Sequence, residues 1–101
     1  MSANEKPYSI GSDRWPGVSK LIEEMGEVQQ VLGKLLGTGG QPAHWDGSDL
    51  RVRLHEELAD LQAAMMFVIE TNDLDGEAIL ARSNAKFLRF KQWHAGDGST
   101  P

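Results

Sequence analysis

Residues 18–36 read VSKLIEEMGEVQQVLGKLL, and their apolar side chains recur at intervals of three and four residues. The pattern begins at Val18 and runs through Leu21 and Val28 to Leu36. This interval places one apolar stripe along one face and predicts an amphipathic helix. Gly37 follows directly, and a glycine at that position is typical of a helix end.

The same periodicity predicts two further helices. Residues 37–49, GTGGQPAHWDGSD, have the glycine, proline and aspartate content of a loop. Ser48 or Asp49 can cap a second helix that ends near Thr71-Asn72. Its apolar stripe consists of Leu50, Leu54, Leu58, Leu61, Met65 and Val68. Asp73 or Asp75 can cap a third helix that reaches about Trp93, with Phe87, Leu88 and Phe90 expected in the core. No useful alternating strand pattern occurs, so the sequence predicts an all-α bundle of three to four helices.

Composition limits the possible classes of protein. A chain of 101 residues is expected to form one domain, here residues 15–94, between a flexible lead-in (1–14) and a flexible tail (95–101). The net charge of −5 argues against general nucleic-acid binding. The chain has no cysteine, which excludes thiolate metal sites and disulfides. No stretch is apolar enough for a membrane span or a signal peptide, so a cytoplasmic location and no membrane partner are expected.

Carboxylates are concentrated in the first two predicted helices. Residues 23–27 read EEMGE and residues 56–60 read EELAD, so each helix presents acids three or four residues apart on one face. Glu24 and Glu57 fall inside the apolar stripes, where an unpaired carboxylate is costly unless a cation accompanies it. Two such faces turned toward each other would make an oxygen-lined pocket of the kind that Mg²⁺ or Mn²⁺ prefers. The predicted metal ligands are Glu24, Glu27, Glu57 and Asp60.

Other interpretations of these acids remain open. Glutamate is a good helix former, and each acid by itself can belong to a solvated helix face. Lys20 and Lys34 can form surface ion pairs, which would not neutralise acids that point inward. A di-iron site usually requires Glu-x-x-His motifs, and none of His44, His55 and His94 has a glutamate three residues before it. An oxygen-only site for Mg²⁺ is therefore favoured.

The third predicted helix carries a basic stripe. Arg82, Lys86 and Arg89 share one face at positions i, i+4 and i+7. Such a face near a metal-loaded acidic pocket would suit a polyphosphate. The alternative is a solvated basic face close to a helix C-terminus, where the helix dipole favours cations.

Together these segments resemble the MazG-like nucleoside triphosphate pyrophosphohydrolases of the all-α NTP pyrophosphatase superfamily. Glu23-Glu24-x-x-Glu27, followed after 29 residues by Glu57-x-x-Asp60, resembles the EExxE…ExxD signature of that family. Residues 83–90, SNAKFLRF, are similar to its A-N-x-K-F-x-R-F segment. The resemblance covers roughly residues 15 to 93.

The resemblance implies an activity and a set of roles. Members of the family hydrolyse (deoxy)nucleoside triphosphates to the monophosphate and pyrophosphate with Mg²⁺, and they form homodimers or dimers of dimers with sites near the subunit interface. Glu24, Glu27, Glu57 and Asp60 match the metal ligands. Glu23, with Glu24, is expected to orient or deprotonate the attacking water. Asn84, Lys86 and Arg89 are expected near the phosphates.

Recognition of the base and the choice between functions stay open at this stage. Trp15 or Trp45 could stack on a base, and each could instead cover an edge of the core. The favoured interpretation is a nucleotide-pool house-cleaning pyrophosphohydrolase. The alternatives are a non-catalytic module of the same fold that binds a nucleotide or a metal, and a purely structural helical oligomerisation domain.

Overall fold

A computed structural model describes residues 6–96 and places three helices in this range. They are α1 (Val18–Gly37), α2 (Leu50–Thr71) and α3 (Gly76–Ala95). Within residues 6–96 there is no β-strand, only an isolated bridge between Ala43 and Asp49. The predicted all-α fold is confirmed. The first five residues of the predicted lead-in, and residues 97–101 of the predicted tail, lie outside the described residues.

The helix boundaries follow from local capping interactions. The Asp49 carboxylate accepts hydrogen bonds from the backbone N–H groups of Arg51 (2.9 Å) and Val52 (3.2 Å) at the start of α2. Asp75 accepts one from the N–H of Ala78 (3.0 Å) at the start of α3. Each cap satisfies amide groups that have no partner within the helix. The sequence allowed two capping residues for each of these helices, and the structure selects the one adjacent to the helix.

α1 and α2 form an antiparallel hairpin that contains the core. The start of α1 lies against the end of α2, where the Asn72 side chain donates a hydrogen bond to the carbonyl of Pro16 (3.0 Å). The buried hydrophobic residues of the described chain are Val28, Val31, Leu50, Ala64 and Val68, all from these two helices. Because so few side chains are fully buried, a single copy of the chain gains modest hydrophobic stabilisation.

The segment before α1 is folded back onto the open end of the hairpin. The amide of Tyr8 donates to the carbonyl of Arg14 (2.8 Å), and the amide of Ser19 donates to the carbonyl of Tyr8 (2.9 Å). Ser12 is buried in the resulting chain of turns. These contacts fix Ile10 beside the first turns of α1, where it becomes part of the site described below.

α3 is not part of the core of the hairpin. Residues 72–75 turn the chain away after α2, and no residue of α3 is buried. Phe87, Leu88 and Phe90, expected in the core, are 62%, 57% and 50% exposed. The radius of gyration is 17.2 Å, compared with about 13 Å for a compact domain of this length. The expectation that these side chains are core residues is therefore wrong for a single copy of the chain.

None of the three helices of residues 6–96 is long and apolar enough to cross a membrane.

A close approach at Gly17 generates the first testable prediction. Gly17 has φ +86°, and a Cβ atom there would lie 2.5 Å from Cδ2 of Phe67. We expect Gly17→Ala to lower the free energy of unfolding by about 1–2 kcal/mol for the left-handed backbone, and by a further ~1–3 kcal/mol for overpacking. Urea denaturation followed by circular dichroism measures both effects together.

Gly11→Ala is the matched control for this prediction. Gly11 has a similar φ of +92°, but no atom lies within 4 Å of the Cβ position. Gly11→Ala should therefore lower the free energy of unfolding only by the amount that the left-handed backbone costs. Equal losses of stability in the two variants would show that contact with Phe67 does not constrain residue 17.

Candidate metal and nucleotide site

The structure turns three of the predicted ligands toward the helix interface. Glu24, Glu27 and Glu57 are partly buried, whereas the neighbouring acids Glu23 and Glu56 are exposed. This division follows from the helical period, since Glu24 and Glu57 lie on the apolar stripes and their neighbours are rotated by about 100°. Asp60, one turn after Glu57, is exposed at the rim.

The carboxylates are close enough to influence one another's protonation. Loss of hydration raises the pKa of Glu57, and the nearby Glu27 carboxylate raises it further. Asp60 and Glu24 raise the same pKa through their charges. Glu57 is therefore the carboxylate on which the charges of the other three predicted metal ligands act.

Lys20 is a basic side chain on which two members of this group, Glu24 and Asp60, act electrostatically. Its ammonium lies 2.9 Å from Oε1 of Glu23, one turn along α1. The hydrogen bond and charge of Glu23 raise the pKa of Lys20, and Glu24 and Asp60 also raise it. Lys20 and Glu23 are both substantially exposed, so this ion pair contributes little to stability. A single ammonium facing several carboxylates leaves the cluster with excess negative charge.

A half-open cavity of about 370 Å³ lies beside Glu24 and Asp60. Its walls are formed by Ile10, Gly17, Ala63, Ala64 and Phe67, and its polar rim by Lys20, Glu24 and Asp60. Glu27 lies three residues after Glu24 on α1, and Glu57 lies three residues before Asp60 on α2. Because the two helices are antiparallel, both lie on the side away from the cavity. Since an α-helix rises 1.5 Å per residue, the second pair is displaced by roughly 4.5 Å along the hairpin.

The donor set fits a hard divalent cation. All four side chains offer carboxylate oxygens, which Mg²⁺ and Mn²⁺ prefer, and their mutual repulsion provides a reason to bind positive charge. Among the described residues, no three His, Asp or Glu side chains are already arranged as a metal site. Mg²⁺ usually takes only one or two carboxylates from a protein and completes its shell with water and phosphate oxygens.

The residues predicted to bind phosphate lie on α3, apart from the acids of the same chain. Arg82, Lys86 and Arg89 line a shallow surface groove with Ala85, which places them on one face as predicted. Within residues 6–96 none of these basic side chains forms an ion pair with an acid, and Asn84 is exposed beside them. A single copy of the chain therefore does not bring the basic and acidic groups together.

The two candidate stacking residues lie at opposite ends of the hairpin. Trp15 precedes Gly17 at the cavity end and is 54% exposed. Trp45 is 89% exposed at the other end, on a loop held by the Asp46 carboxylate, which accepts from the Ser48 hydroxyl (2.6 Å) and lies 2.8 Å from Nδ1 of His44. The 20 residues of α1, which separate the two ends, span about 30 Å. The two tryptophans therefore cannot stack on one base in the same copy.

Comparison with family models, with curated proteins and with solved structures found no match for this chain. The resemblance to the MazG-like enzymes therefore rests on the motifs in the sequence.

Sequence reasoning placed Lys20 in a surface ion pair with a nearby acid, and its exposed pair with Glu23 confirms this. It missed that Lys20 also lines the cavity, although a position four residues before Glu24 places both on the same face. The cavity was not predicted at all, because Ile10, Ala63 and Phe67 come from two separate segments. Only the spacing of Asp60, Ala63, Ala64 and Phe67 along one face of α2 hinted that small side chains leave space there.

The raised pKa of Glu57 predicts a stability that depends on pH. The folded state disfavours ionised Glu57. Below the ordinary glutamate pKa of 4.5 this side chain is protonated and does not lower the free energy of unfolding. That stability is lost as the pH rises through the higher folded-state pKa and Glu57 ionises. In metal-free protein at pH 7, Glu57→Gln should therefore have a higher thermal midpoint than the wild type. The difference should vanish below about pH 4.5.

Glu56→Gln is the control for this effect, since Glu56 is exposed and does not contribute to the pKa of Glu57. Its midpoint should follow that of the wild type at every pH. A Glu57→Gln variant less stable than the wild type at pH 7 would contradict the repulsion between these carboxylates.

Proposed function

We propose that this protein hydrolyses (deoxy)nucleoside triphosphates to the monophosphate and pyrophosphate with Mg²⁺, and that it serves nucleotide-pool house-cleaning. The observation that carries the proposal is that Glu24 and Asp60 line a largely apolar cavity and that these two acids, with Glu27, lie near enough to Glu57 for their charges to raise its pKa. A nucleotide has the complementary form, with a flat apolar group at one end and a chain of phosphates that binds divalent cations at the other.

The order of groups along the hairpin supports a direction for the bound nucleotide. With the base in the cavity, the α-phosphate lies near the rim formed by Lys20, Glu24 and Asp60. The β- and γ-phosphates then extend toward Glu27 and Glu57. Mg²⁺ bound to the four acids would neutralise phosphate charge and make a bound water more acidic.

The chemical step is an in-line displacement at the α-phosphorus. A water oxygen forms a bond to this phosphorus, and its proton passes to a carboxylate at the N-terminal half of α1, either Glu23 or Glu24. The bond from the α-phosphorus to the bridging oxygen breaks, and its electron pair leaves with pyrophosphate. Lysine and arginine side chains near the leaving group stabilise the developing charge.

A second copy of the chain belongs to the proposal because α3 does not pack on the hairpin of its own chain. Its exposed apolar residues Ile79, Leu80, Phe87 and Phe90 fall within an arc of about 100° on one face. Such a face is expected to be covered in a stable protein. A homodimer, or a dimer of dimers, would cover it, and it could place Asn84, Lys86 and Arg89 of one copy near the acids of the other.

The proposed activity predicts metal-dependent release of pyrophosphate. Wild-type protein should release pyrophosphate and nucleoside monophosphate in equal amounts with Mg²⁺ or Mn²⁺, and none with EDTA. Glu57→Gln and Asp60→Asn should each lower kcat/KM by about 100-fold or more, because each removes a charged oxygen ligand from the reacting site. A coupled pyrophosphate assay measures both rates.

Glu56→Gln provides the control, since it removes an adjacent exposed carboxylate that lies outside the cluster. It should retain nearly full activity. Near-wild-type rates in both Glu57→Gln and Asp60→Asn would show that the site is wrong. Metal-dependent nucleotide binding with no turnover would favour the alternative, a non-catalytic binding module.

The exposed face of α3 predicts self-association. Light scattering should give the wild-type protein the mass of a dimer or tetramer, and Leu80→Glu combined with Phe87→Glu should shift it to the monomer by placing two charges in an apolar contact. Gln92→Glu changes an exposed residue on the opposite side of α3 and should leave the mass unchanged. A monomeric wild-type protein would contradict the proposal.

A further inference from the structure

Lys20 differs from the other basic side chains of the chain in its position. It lines the cavity together with Glu24 and Asp60, one acid from each helix of the hairpin. No other lysine or arginine of residues 6–96 lines this cavity, and the basic groove of α3 is a separate surface. Lys20 is therefore the positive charge that the hairpin itself places beside two of the predicted metal ligands.

The Lys20 ammonium is held by an acid that does not line the cavity. Its Nζ donates a hydrogen bond to Oε1 of Glu23 at 2.9 Å, and Glu23 is not part of the cavity wall. Glu24 and Asp60 raise the pKa of the same ammonium through their charges, but within the described part of the chain neither forms an ion pair with it. The carboxylates of Glu24 and Asp60 therefore stay available for a cation while Lys20 lies beside them.

The ammonium keeps hydrogen-bond donors that the protein does not use. A lysine ammonium carries three N–H donors, and within residues 6–96 Lys20 uses one of them, on Glu23. The two side chains are 45% and 59% exposed, so their ion pair is weak and a ligand can compete for the ammonium at little cost. The remaining donors suit the oxygens of a phosphate, for which lysine is a common partner in proteins.

Charge gives a phosphate a reason to bind at Lys20. Mg²⁺ completes its shell with phosphate oxygens when a protein supplies only one or two carboxylates. A phosphate that shares a cation with Glu24 and Asp60 would lie near Lys20, because both acids line the same cavity and act on that lysine. The ammonium attracts this phosphate but repels a free metal ion. Lys20 should therefore favour metal with phosphate over metal alone.

We propose that Lys20 binds a phosphate group of the nucleotide from the same copy as the acids, and that Glu23 positions Lys20 rather than accepting the proton of the attacking water. The inference rests on the proposed function for the identity of the ligand. It assigns the proton to Glu24, which lines the cavity, whereas Glu23 is engaged with Lys20. It also gives the hairpin a phosphate contact that does not depend on α3 of a second copy.

Equilibrium binding tests the role of Lys20 without turnover. Calorimetry would measure the affinity for Mg²⁺ alone, and then for the α,β-imido analogues of the four deoxynucleoside triphosphates, which resist cleavage at the α-phosphorus, with Mg²⁺ present. We expect Lys20→Met to bind the analogues about 10-fold or more weakly, because a hydrogen bond between charged groups is lost. The same variant should bind Mg²⁺ alone several-fold more tightly, because a repelling charge is lost.

Two further variants serve as controls for this measurement. Lys20→Arg keeps the positive charge and should restore analogue binding to within a few-fold of the wild type. Lys34→Met removes another lysine of α1, which is paired with Asp46 (3.9 Å) and does not line the cavity. It should leave both affinities unchanged.

Rates of pyrophosphate release test the role of Glu23. Lys20→Met should lower kcat/KM by about 10-fold or more, and Glu23→Gln should lower it several-fold. In protein that already carries Lys20→Met, Glu23→Gln should cause no further loss, because a positioning residue acts through the residue that it holds. Removal of a proton acceptor would instead lower kcat by about 10²–10⁴-fold, with or without Lys20.

Three results would overturn the inference. They are equal analogue affinity in the wild type and Lys20→Met, a parallel loss of Mg²⁺ and analogue affinity that Lys20→Arg does not restore, and a loss of about 10²-fold or more in kcat when Glu23→Gln is added to Lys20→Met. Analogue binding that depends on Lys20, with no turnover of any triphosphate, would support the phosphate contact and reject the proposed hydrolysis. Turnover that is unchanged in Lys20→Met would do the reverse.

Discussion

The repulsion among carboxylates at the α1–α2 interface is the constraint on which the rest of this structure depends. Glu57 is partly buried between Glu24, Glu27 and Asp60, and its pKa is raised by the loss of hydration and by its neighbours. A hairpin with few fully buried side chains has little stability with which to offset such a cluster. Positions that cost folding energy in this way are typical of functional sites. The proposed cation would turn an unfavourable arrangement into a favourable one, which links the stability of the hairpin to its proposed chemistry.

The second constraint is the apolar surface that the hairpin and α3 leave exposed. The chain is extended, with principal dimensions of 49 × 38 × 18 Å, and α3 has no buried residue. Within residues 6–96, no part of the same copy buries its apolar face or forms an ion pair with its basic groove. The assembly of copies that we propose would cover the apolar face, and a polyphosphate bound between copies would share its charge with the acids' cation and the basic groove.

Much of the fold was predictable because it depends on local interactions. The apolar period predicts the three helices, and Asp49 and Asp75 cap α2 and α3 through hydrogen bonds to residues two or three positions away. The pairing of the acids also followed from spacing, since positions three residues apart share a helix face. The placement of α3 was not predictable, because periodicity shows that a helix has an apolar face but not which surface covers it. For this reason the core assignment of Phe87 and Phe90 was wrong. The cavity depends on Ile10, which is brought to the site by turns that no periodic pattern reveals.

The measurement that tests the central claim most directly is an NMR titration of the Glu57 side-chain carboxyl, with and without Mg²⁺. In metal-free protein its pKa should lie above the ordinary glutamate value of 4.5. With saturating Mg²⁺ it should fall below that value, because a bound divalent cation favours the ionised form. A Glu57 pKa that is raised but does not respond to Mg²⁺ would contradict a shared cation site and leave the carboxylate cluster without the role proposed for it.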